Sequence, residues 1–260
     1  MLLRRVIHHF KNQEWTAIGI DFVIVVIGVF VGIQVSNWNS ERADQARAHA
    51  YLVRIGADLD ADLAAYQDRL SFWKGVSAYG TTGLTYAETG DAKGATQWDL
   101  LLAYFQSSQV AEFYTTDATF EELKSAGELG LIKDTHFRNA LAQYYSFGAN
   151  PALTERPRYR EHVRGVIPLD VQNYIWTNCY SSHQASIQKM LPCKSPLEEK
   201  QAAVIVNEIR NDKALMAELR YWMSTMRIAG IIAFGGIESA TQLRSSLDTM
   251  IDDSPKEGTP

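Results

Sequence analysis

Residues 17–38 read AIGIDFVIVVIGVFVGIQVSNW, and this stretch decides the architecture of the chain. A helix of these 22 residues would be about 33 Å long, because each residue of an α-helix adds about 1.5 Å. That length matches the hydrocarbon core of a bilayer, which is about 30 Å thick. The sequence therefore predicts one transmembrane helix at residues 17–38.

The flanks of this segment distinguish an uncleaved anchor from a signal peptide. About 20 residues precede its fully apolar core at residues 22–33, and no small-x-small cleavage site follows promptly, unlike the arrangement in a secretory signal. Trp15 and Trp38 bracket the segment, and tryptophan is enriched at both membrane interfaces. We therefore expect a helix that stays in the mature protein and spans the bilayer once.

The distribution of basic residues predicts which side of the membrane holds the bulk of the chain. Residues 1–16 contain three Lys or Arg residues. On the other side of the apolar segment, residues 39–62 mix arginines with aspartates and glutamates. Short segments rich in Lys and Arg stay in the cytoplasm. We therefore expect residues 1–16 to form a cytoplasmic arm, residues 39–252 an extracytoplasmic domain and residues 253–260 a disordered tail. In a bacterial cell this places the protein in the inner membrane and its bulk in the periplasm.

Small residues form a stripe along the predicted transmembrane helix. Gly28, Gly32 and Ser36 follow one another at intervals of four, so they lie on one face, where a second helix can approach closely in lipid. Glycine is also frequent in membrane helices generally, so the stripe fits a helix that crosses alone as well. These three residues are the candidates for helix packing, and they allow a homo-oligomer.

A carboxylate, Asp21, lies about one turn into the segment from its cytoplasmic end. Ionisable residues inside a membrane are costly and commonly functional, which makes Asp21 the candidate intramembrane carboxylate. A wetted helix-end residue is the simpler interpretation, because a side chain near the interface reaches water and the N-terminal end of a helix favours negative charge. Both interpretations stay open on the sequence.

The pattern beyond the membrane segment indicates helices. Apolar residues recur at steps of three and four, which predicts a long amphipathic helix that continues out of the membrane helix. They are Leu52, Ile55, Leu59, Leu63, Tyr66, Leu70 and Trp73. We expect this face to pack against later helices of the same chain rather than a second copy, since much apolar helical sequence follows. The predicted fold class is all-α, with one N-terminal transmembrane helix continuing into an extracytoplasmic helical bundle.

Glycine and proline mark the expected ends of further helices. Five glycines in the range 75–95 predict loops there. Pro168 is expected to kink or break a helix that begins near residue 158. The run Ser195-Pro196-Leu197-Glu198 has a capping serine followed by proline at the first helical position, and it predicts a helix start. A final long helix is expected from about residue 213 to about residue 247.

The chain has two cysteines, Cys179 and Cys193. In an oxidising compartment they favour a disulfide, which would close a short loop and stabilise the fold by about 3 kcal/mol on chain-entropy grounds. Free buried thiols are a second interpretation. A metal site that includes His183 is a third, because that histidine follows the first cysteine by four residues. The disulfide is the expected state, and we expect no metal.

Charge and motif content argue against several classes of function. The chain has 30 acidic and 25 basic residues and a net charge of −5, which argues against a nucleic-acid partner. The sequence lacks phosphate-binding glycine loops, the zinc-binding HExxH pattern and the nucleophile elbow. Two Ser-x-x-Lys matches lack the Lys-Thr-Gly partner of penicillin-recognising enzymes. We therefore expect a protein that is not an enzyme, with no catalytic residue and no cofactor.

Two stretches of the chain resemble a known family. Residues 21–39 read DFVIVVIGVFVGIQVSNWN, and residues 119–132 read TFEELKSAGELGLI, with RNALAQYY following at residues 138–145. Together they resemble a bacterial family of single-pass membrane proteins whose domain has no known function. The Thr-Phe-Glu-Glu-Leu run is the more specific part, because any membrane anchor has an apolar segment. The resemblance implies a bacterial envelope protein, and it implies no activity, cofactor or catalytic residue.

Two functions from different classes fit these observations. The first is a membrane-tethered helical domain that binds a protein in the envelope or senses a condition outside the membrane. Its arm at residues 1–16 is too short to be an effector, so a signal would pass through a protein partner. The alternative is a proton-coupling subunit of a membrane complex that uses Asp21, since an intramembrane carboxylate can take up and release protons. In both cases the lipid bilayer is an expected partner.

Overall fold

One helix, α1 (Trp15–Thr89), contains the apolar segment and continues without a break into the packed part of the protein. Its 75 residues give a length of about 110 Å. Its most apolar window of 18 residues is long and apolar enough to cross a membrane, and no residue in that window is buried. The prediction of an apolar N-terminal helix that continues into a helical domain is confirmed.

The computed structural model describes residues 15–148, 156–183 and 187–252. The expectations for the N-terminal arm, apart from its last two residues, and for the C-terminal tail lie outside these ranges. Helices make up 80% of the chain, which confirms the predicted all-α class. The elements after α1 are α2 (Gln97–Gln106), α3 (Ala118–Ser125), a 3-10 turn (Leu129–Leu131), α4 (Thr135–Gly148), α5 (Arg158–Val166), α6 (Leu169–Asn178), β1 (Tyr180–His183), β2 (Ile187–Met190), α7 (Glu199–Asn211) and α8 (Lys213–Asp252).

The last helix, α8, returns along α1 in the opposite direction and forms the most extensive helix–helix interface of the described chain. Arg244, near the end of α8, binds Asp60 with an Nε–Oδ1 distance of 3.0 Å. Arg220, near the start of α8, binds Glu88 with an Nε–Oε1 distance of 3.2 Å. These two ion pairs lie at opposite ends of the interface, and together they establish that the two helices are antiparallel.

The apolar face predicted on α1 lies inside this helix pair. Its buried members are Leu52, Ile55, Leu59, Tyr66 and Trp73. Leu63 and Leu70 are half-buried against the same core. The buried residues of α8 include Leu215, Leu219, Trp222, Met226, Leu243 and Leu247. Burial of each large apolar side chain stabilises the fold by about 1.5 to 3 kcal/mol, and the expectation that this face packs within the same chain is confirmed.

The loop predicted from the glycines of range 75–95 is wrong over most of its length, because α1 continues to Thr89. Gly83 allows a close contact instead. The Tyr104 hydroxyl donates a hydrogen bond to the Gly83 carbonyl oxygen at 2.9 Å, and a Cβ at Gly83 would lie 2.7 Å from the Tyr104 ring. The loop begins at Gly90, where φ is +72°, a left-handed conformation that glycine adopts at little cost.

The helix start predicted at Ser195 is also wrong, because α7 begins at Glu199. Glu198 is the capping residue, and its backbone N–H donates to Gln201 Oε1 at 2.9 Å. Ser195 Oγ accepts a hydrogen bond from the backbone N–H two residues later, which closes a tight turn before the helix. The break expected at Pro168 is confirmed, since that residue separates α5 from α6.

The end of α2 and the segment after it lie where several elements meet. Trp73 Nε1 of α1 donates to the carbonyl oxygen of Ala111 at 3.1 Å. On the other side, β1 and β2 form an antiparallel hairpin, in which Tyr180 pairs with Met190. This hairpin differs from the purely helical pattern expected from the sequence. The hairpin, α1, α5 and the segment after α2 together surround the cavity described below.

Candidate functional site

The candidate residues of the apolar segment lie on a part of α1 that no other described residue covers. A Cβ added at Gly28 or at Gly32 would meet no atom within 4 Å. Ser36 is exposed on the same stretch, and Asp21 is half-exposed. Within the described ranges the structure brings no second polar side chain to Asp21. The small-residue stripe is open to a helix from outside the chain.

Cys179 and Cys193 are joined in a disulfide, with their Cα atoms 5.1 Å apart. The first cysteine follows α6 and the second follows β2, so the bond closes the β-hairpin. The hairpin is also tied to α2. Gln106 Nε2 donates to the Cys179 carbonyl oxygen at 2.9 Å, and Trp98 Nε1 donates to the Cys193 carbonyl oxygen at 3.2 Å. Among the described residues no group of three His, Cys, Asp or Glu side chains is placed to hold a metal ion.

A buried carboxylate, Asp62, lies between α1 and α4. The Tyr144 hydroxyl donates to Oδ2 and the Thr116 N–H donates to Oδ1, both at 2.7 Å. Burial raises the pKa of the Asp62 carboxyl, and the two hydrogen bonds oppose that rise only in part. Burial, together with the charge on Asp62, raises the pKa of Tyr66 to about 12. Since Asp62 is 0% exposed and no substrate reaches it, this cluster supports the fold.

A second polar cluster contains four arginines. Arg156 precedes α5, and Arg160 and Arg164 follow at intervals of four residues. The latter two lie on one face of the helix, one turn apart. Arg69 of α1 lines the same cavity as Arg156 and Arg160, and its side chain is only 7% exposed. Positive side chains from two helices and one loop therefore converge at one place.

The turn after α2, at residues 106–109, fixes the position of two of these arginines. All four residues of the turn are polar and buried. Arg160 Nη1 donates to the Ser108 carbonyl oxygen at 2.8 Å. Arg164 Nε donates to Ser108 Oγ at 3.0 Å, and its Nη2 donates to Gln109 Oε1 at 3.1 Å. The turn thus supplies oxygen acceptors to both guanidinium groups without supplying a negative charge.

The two arginines of α5 are half-buried, and this affects their electrostatics. The Arg164 guanidinium lies 4.9 Å from the ring centroid of Phe105 and 5.0 Å from that of Trp176. Burial, and then the charge of Arg160, lowers the pKa of Arg164 to about 9. Burial also lowers the pKa of Arg160. Two like charges one turn apart in a half-buried position repel each other, so the site favours a negative charge beside them.

A cavity of about 460 Å³ opens beside this cluster. It is lined by Arg69, Val110, Glu112, Tyr114, Arg156, Arg160 and Gln188. Glu112 Oε1 accepts a hydrogen bond from Arg156 Nε at 2.8 Å, and Glu112 Oε2 accepts one from the Tyr114 hydroxyl at 2.9 Å. These two hydrogen bonds lower the pKa of the Glu112 carboxyl. Glu112 is therefore ionised at neutral pH and engaged by two neighbours.

The cavity is not predictable from the sequence pattern alone. One signal was available, namely the spacing of Arg156, Arg160 and Arg164 by four residues, which puts arginines on one helix face. Arginines on a helix are usually solvated, so the spacing alone does not distinguish a site from an ordinary surface. The distinction comes from the buried turn at 106–109 and from Arg69, both of which are distant in sequence.

Comparisons with known proteins leave the site to be interpreted from its own geometry. No family model matches the chain, and no curated protein or solved structure matches it significantly. The family resemblance noted in the sequence therefore stays a prediction. The chemistry available at the site is what its described side chains provide, which is cationic hydrogen-bond donors around a cavity that reaches the solvent.

Proposed function

We propose that the protein is a single-pass envelope protein of a bacterial inner membrane, with its arm in the cytoplasm and its helical domain in the periplasm. The observation that carries this proposal is the continuity of α1, in which an unburied apolar stretch leads directly into the domain core. Phe22 is 69% exposed and Phe30 is 61% exposed, an arrangement that is unfavourable in water and favourable in lipid.

The cysteine pair supports the proposed location of the domain. Disulfides persist in oxidising compartments such as a periplasm and are rare in a reducing cytoplasm. Cys179 and Cys193 form such a bond between the end of α6 and the end of the hairpin. An extracytoplasmic domain therefore agrees with both the disulfide and the basic residues of the N-terminal arm.

In this proposal the domain binds a partner or ligand outside the membrane and has no catalytic activity. Because α1 is one helix, its core-forming part at residues 52–89 is linked without a hinge to its apolar part. In this proposal a signal passes from the domain to another membrane protein. The open stripe of Gly28, Gly32 and Ser36 offers a surface for that protein's helix or for a second copy of α1.

The location of the domain is tested through its cysteines. The full-length protein is expressed in bacteria, and whole cells are denatured in the presence of a maleimide, with and without prior reduction, so that buried thiols are also accessible. We expect Cys179 and Cys193 to react only after reduction, because both are bridged outside the cytoplasm. A variant carrying Val26→Arg and Val29→Arg should fail to insert, because each charge costs about 2.5 to 3.5 kcal/mol at a membrane centre. Its thiols should then react without reduction.

A matched pair of substitutions controls for the added charge. Val53→Arg and Val204→Arg change valines that are exposed outside the apolar segment, and this variant should behave like the wild type. Wild-type thiols that react without reduction would contradict the proposed location. Stable membrane insertion of the variant with two arginines in the apolar segment would contradict the anchor.

Recovery of partners separates the tethered domain from the proton-coupling alternative. The native membrane protein and an Asp21→Asn variant are crosslinked in cells, and the products are identified by mass spectrometry. A tethered domain should give the same partners in both proteins, because the carboxylate charge has no part in the contact. A polytopic membrane partner that is recovered only with the wild type would instead support coupling through Asp21.

A further inference from the structure

The cavity beside α5 has features of a ligand site that the proposed function does not use. Its three lining arginines come from α1, from the segment before α5 and from α5 itself, and they are Arg69, Arg156 and Arg160. Glu112 is the one carboxylate among the described residues that line it. We propose that this cavity binds a small soluble molecule through an oxyanion group, either a phosphoryl group or a carboxylate.

Arg160 carries the donors that such a ligand requires. A guanidinium has five N–H donors in a planar fork, and Nη1 of Arg160 donates to the Ser108 carbonyl oxygen at 2.8 Å. Within the described residues its other N–H groups donate to no acceptor, although the side chain lines the cavity. A guanidinium that is held at one position keeps further donors for an oxyanion, which can accept two parallel hydrogen bonds.

The charge balance around the cavity also favours an anion. Glu112 is engaged by Arg156 and by Tyr114, so it balances Arg156 rather than Arg160. Arg164 adds a positive charge one turn from Arg160, and in the described chain aromatic rings cover it rather than a carboxylate. The Asp68 carboxylate lies 3.5 Å from the Arg69 guanidinium and offsets its charge. The excess positive charge beside the cavity therefore comes from Arg160 and Arg164, in a chain of net charge −5. An anion placed there relieves the repulsion between half-buried guanidinium groups.

The size and the remaining walls of the cavity fit an oxyanion carried on a larger molecule. Its volume of about 460 Å³ exceeds that of a bare ion and lies in the common range for small-molecule sites, about 300 to 1,000 Å³. Val110 contributes an apolar wall, Tyr114 an aromatic ring and Gln188 an amide. These side chains are suited to contact the uncharged part of a ligand, which gives the site specificity beyond charge.

The position of the cavity along α1 favours a soluble molecule over a lipid headgroup. Arg69 follows Trp38 by about 30 residues, which is about 45 Å along a helix. In the proposed orientation this distance exceeds the thickness of the headgroup region, which is about 5 to 8 Å on each side of a bilayer. The choice between a soluble molecule and a lipid headgroup as the carrier of the oxyanion rests on the proposed anchor. The cavity and its arginines do not depend on the membrane.

Binding is tested on the full-length protein in neutral lipid nanodiscs by calorimetric titration with inorganic phosphate and, separately, with citrate at constant ionic strength. We expect saturable binding of at least one of them. Arg160→Gln should weaken it by about tenfold or more, because a charged donor is lost. Arg220→Gln is the matched control, since it changes an exposed arginine paired with Glu88, and it should bind like the wild type. No saturable binding of either anion, or an equal loss in the control, would overturn the proposal.

A substitution that should strengthen binding keeps the test independent of folding defects. Glu112→Gln removes a competing negative charge and releases Arg156, so the affinity for the same anion should rise several-fold. Thermal unfolding with the anion present should show a midpoint that rises for the wild type and for Glu112→Gln. Weaker binding by Glu112→Gln would overturn the proposal even if the Arg160→Gln protein failed to fold.

Nanodiscs that contain phosphatidylglycerol distinguish the two sources of the oxyanion. A soluble ligand predicts the same phosphate or citrate affinity in neutral and anionic discs, since the cavity lies about five Debye lengths, each of about 8 Å, from the lipid surface. Loss of binding in the anionic discs would indicate that a headgroup fills the cavity, and would overturn the assignment to a soluble molecule. Failure of anion binding leaves the thiol-labelling result intact, so the two proposals fail separately.

Discussion

The fold affects the ionisation of the Asp62 carboxyl, because this group is fully buried and accepts hydrogen bonds from Tyr144 and Thr116. Its raised pKa means that the folded protein keeps this proton at a pH at which the unfolded protein has released it. Where the folded state binds more protons, stability falls as the pH rises. The decrease begins near the ordinary aspartate pKa of about 4 and ends at the raised value.

An Asp62→Asn variant tests this sign. Asparagine does not titrate, so the free energy of unfolding of the wild type, minus that of the variant, should decrease from about pH 4 to about pH 7. Urea unfolding of both proteins at the two pH values measures the difference. Thr177→Ala, at an exposed position of α6 that does not titrate, should leave the pH dependence of stability equal to that of the wild type. A wild-type advantage that grows with pH would contradict the raised pKa.

Arg160 and Arg164 are half-buried charges that are stabilised in a different way. Both donate hydrogen bonds to uncharged oxygen atoms of the turn at 106–109. The Arg164 guanidinium also lies against two aromatic rings. Hydrogen bonds to neutral acceptors compensate desolvation without cancelling the charge. The positive potential therefore stays available at the cavity, whereas a buried ion pair would have neutralised it.

Among the elements, α1 has three different roles along its length. Its first part is apolar and exposed, its middle and last parts pack on α8, and Gly83 lets α2 approach closely. A side chain at Gly83 would occupy space held by the Tyr104 ring. Glycine normally weakens a helix by about 0.5 to 1 kcal/mol relative to alanine, and here the contact between α1 and α2 offsets that cost.

Paired glycine substitutions test the role of this contact. Gly83→Ala should destabilise the protein by about 1 to 3 kcal/mol, because the new Cβ would lie 2.7 Å from a buried ring. Gly230→Ala in α8 meets no atom within 4 Å and should stabilise by about 0.5 to 1 kcal/mol through helix propensity. Chemical denaturation of both variants gives the comparison. Equal effects at the two positions would show that packing against Tyr104 is unimportant.

At the scale of the whole molecule, the core is separate from the apolar segment. The first buried apolar residue of the described chain is Leu52, and the most apolar window of α1 has no buried residue. The interior of the domain is thus complete without the segment that we propose to lie in lipid. The disulfide and the pairing of α1 with α8 both lie within that independent part.

Removal of the N-terminal residues tests this separation. A fragment of residues 41–260 should be soluble and helical, with a thermal midpoint close to that of the full-length protein in detergent. A fragment of residues 61–260 is the control, because it also loses Leu52, Ile55 and Leu59 from the core. Each loss of such a side chain costs about 2 to 5 kcal/mol, so this fragment should unfold at a much lower temperature. Similar midpoints for the two fragments would contradict the position of the core.

The sequence by itself determined the apolar helix, the helical class and the apolar face of α1, because these follow from the composition and periodicity of nearby residues. Only the tertiary structure decided that the glycines near Gly83 belong inside a helix, since the reason is a ring from α2. It alone also brought Arg69 to Arg160 at one cavity. A periodic pattern specifies which face of a helix is buried, whereas a site depends on which distant residues folding places against that face.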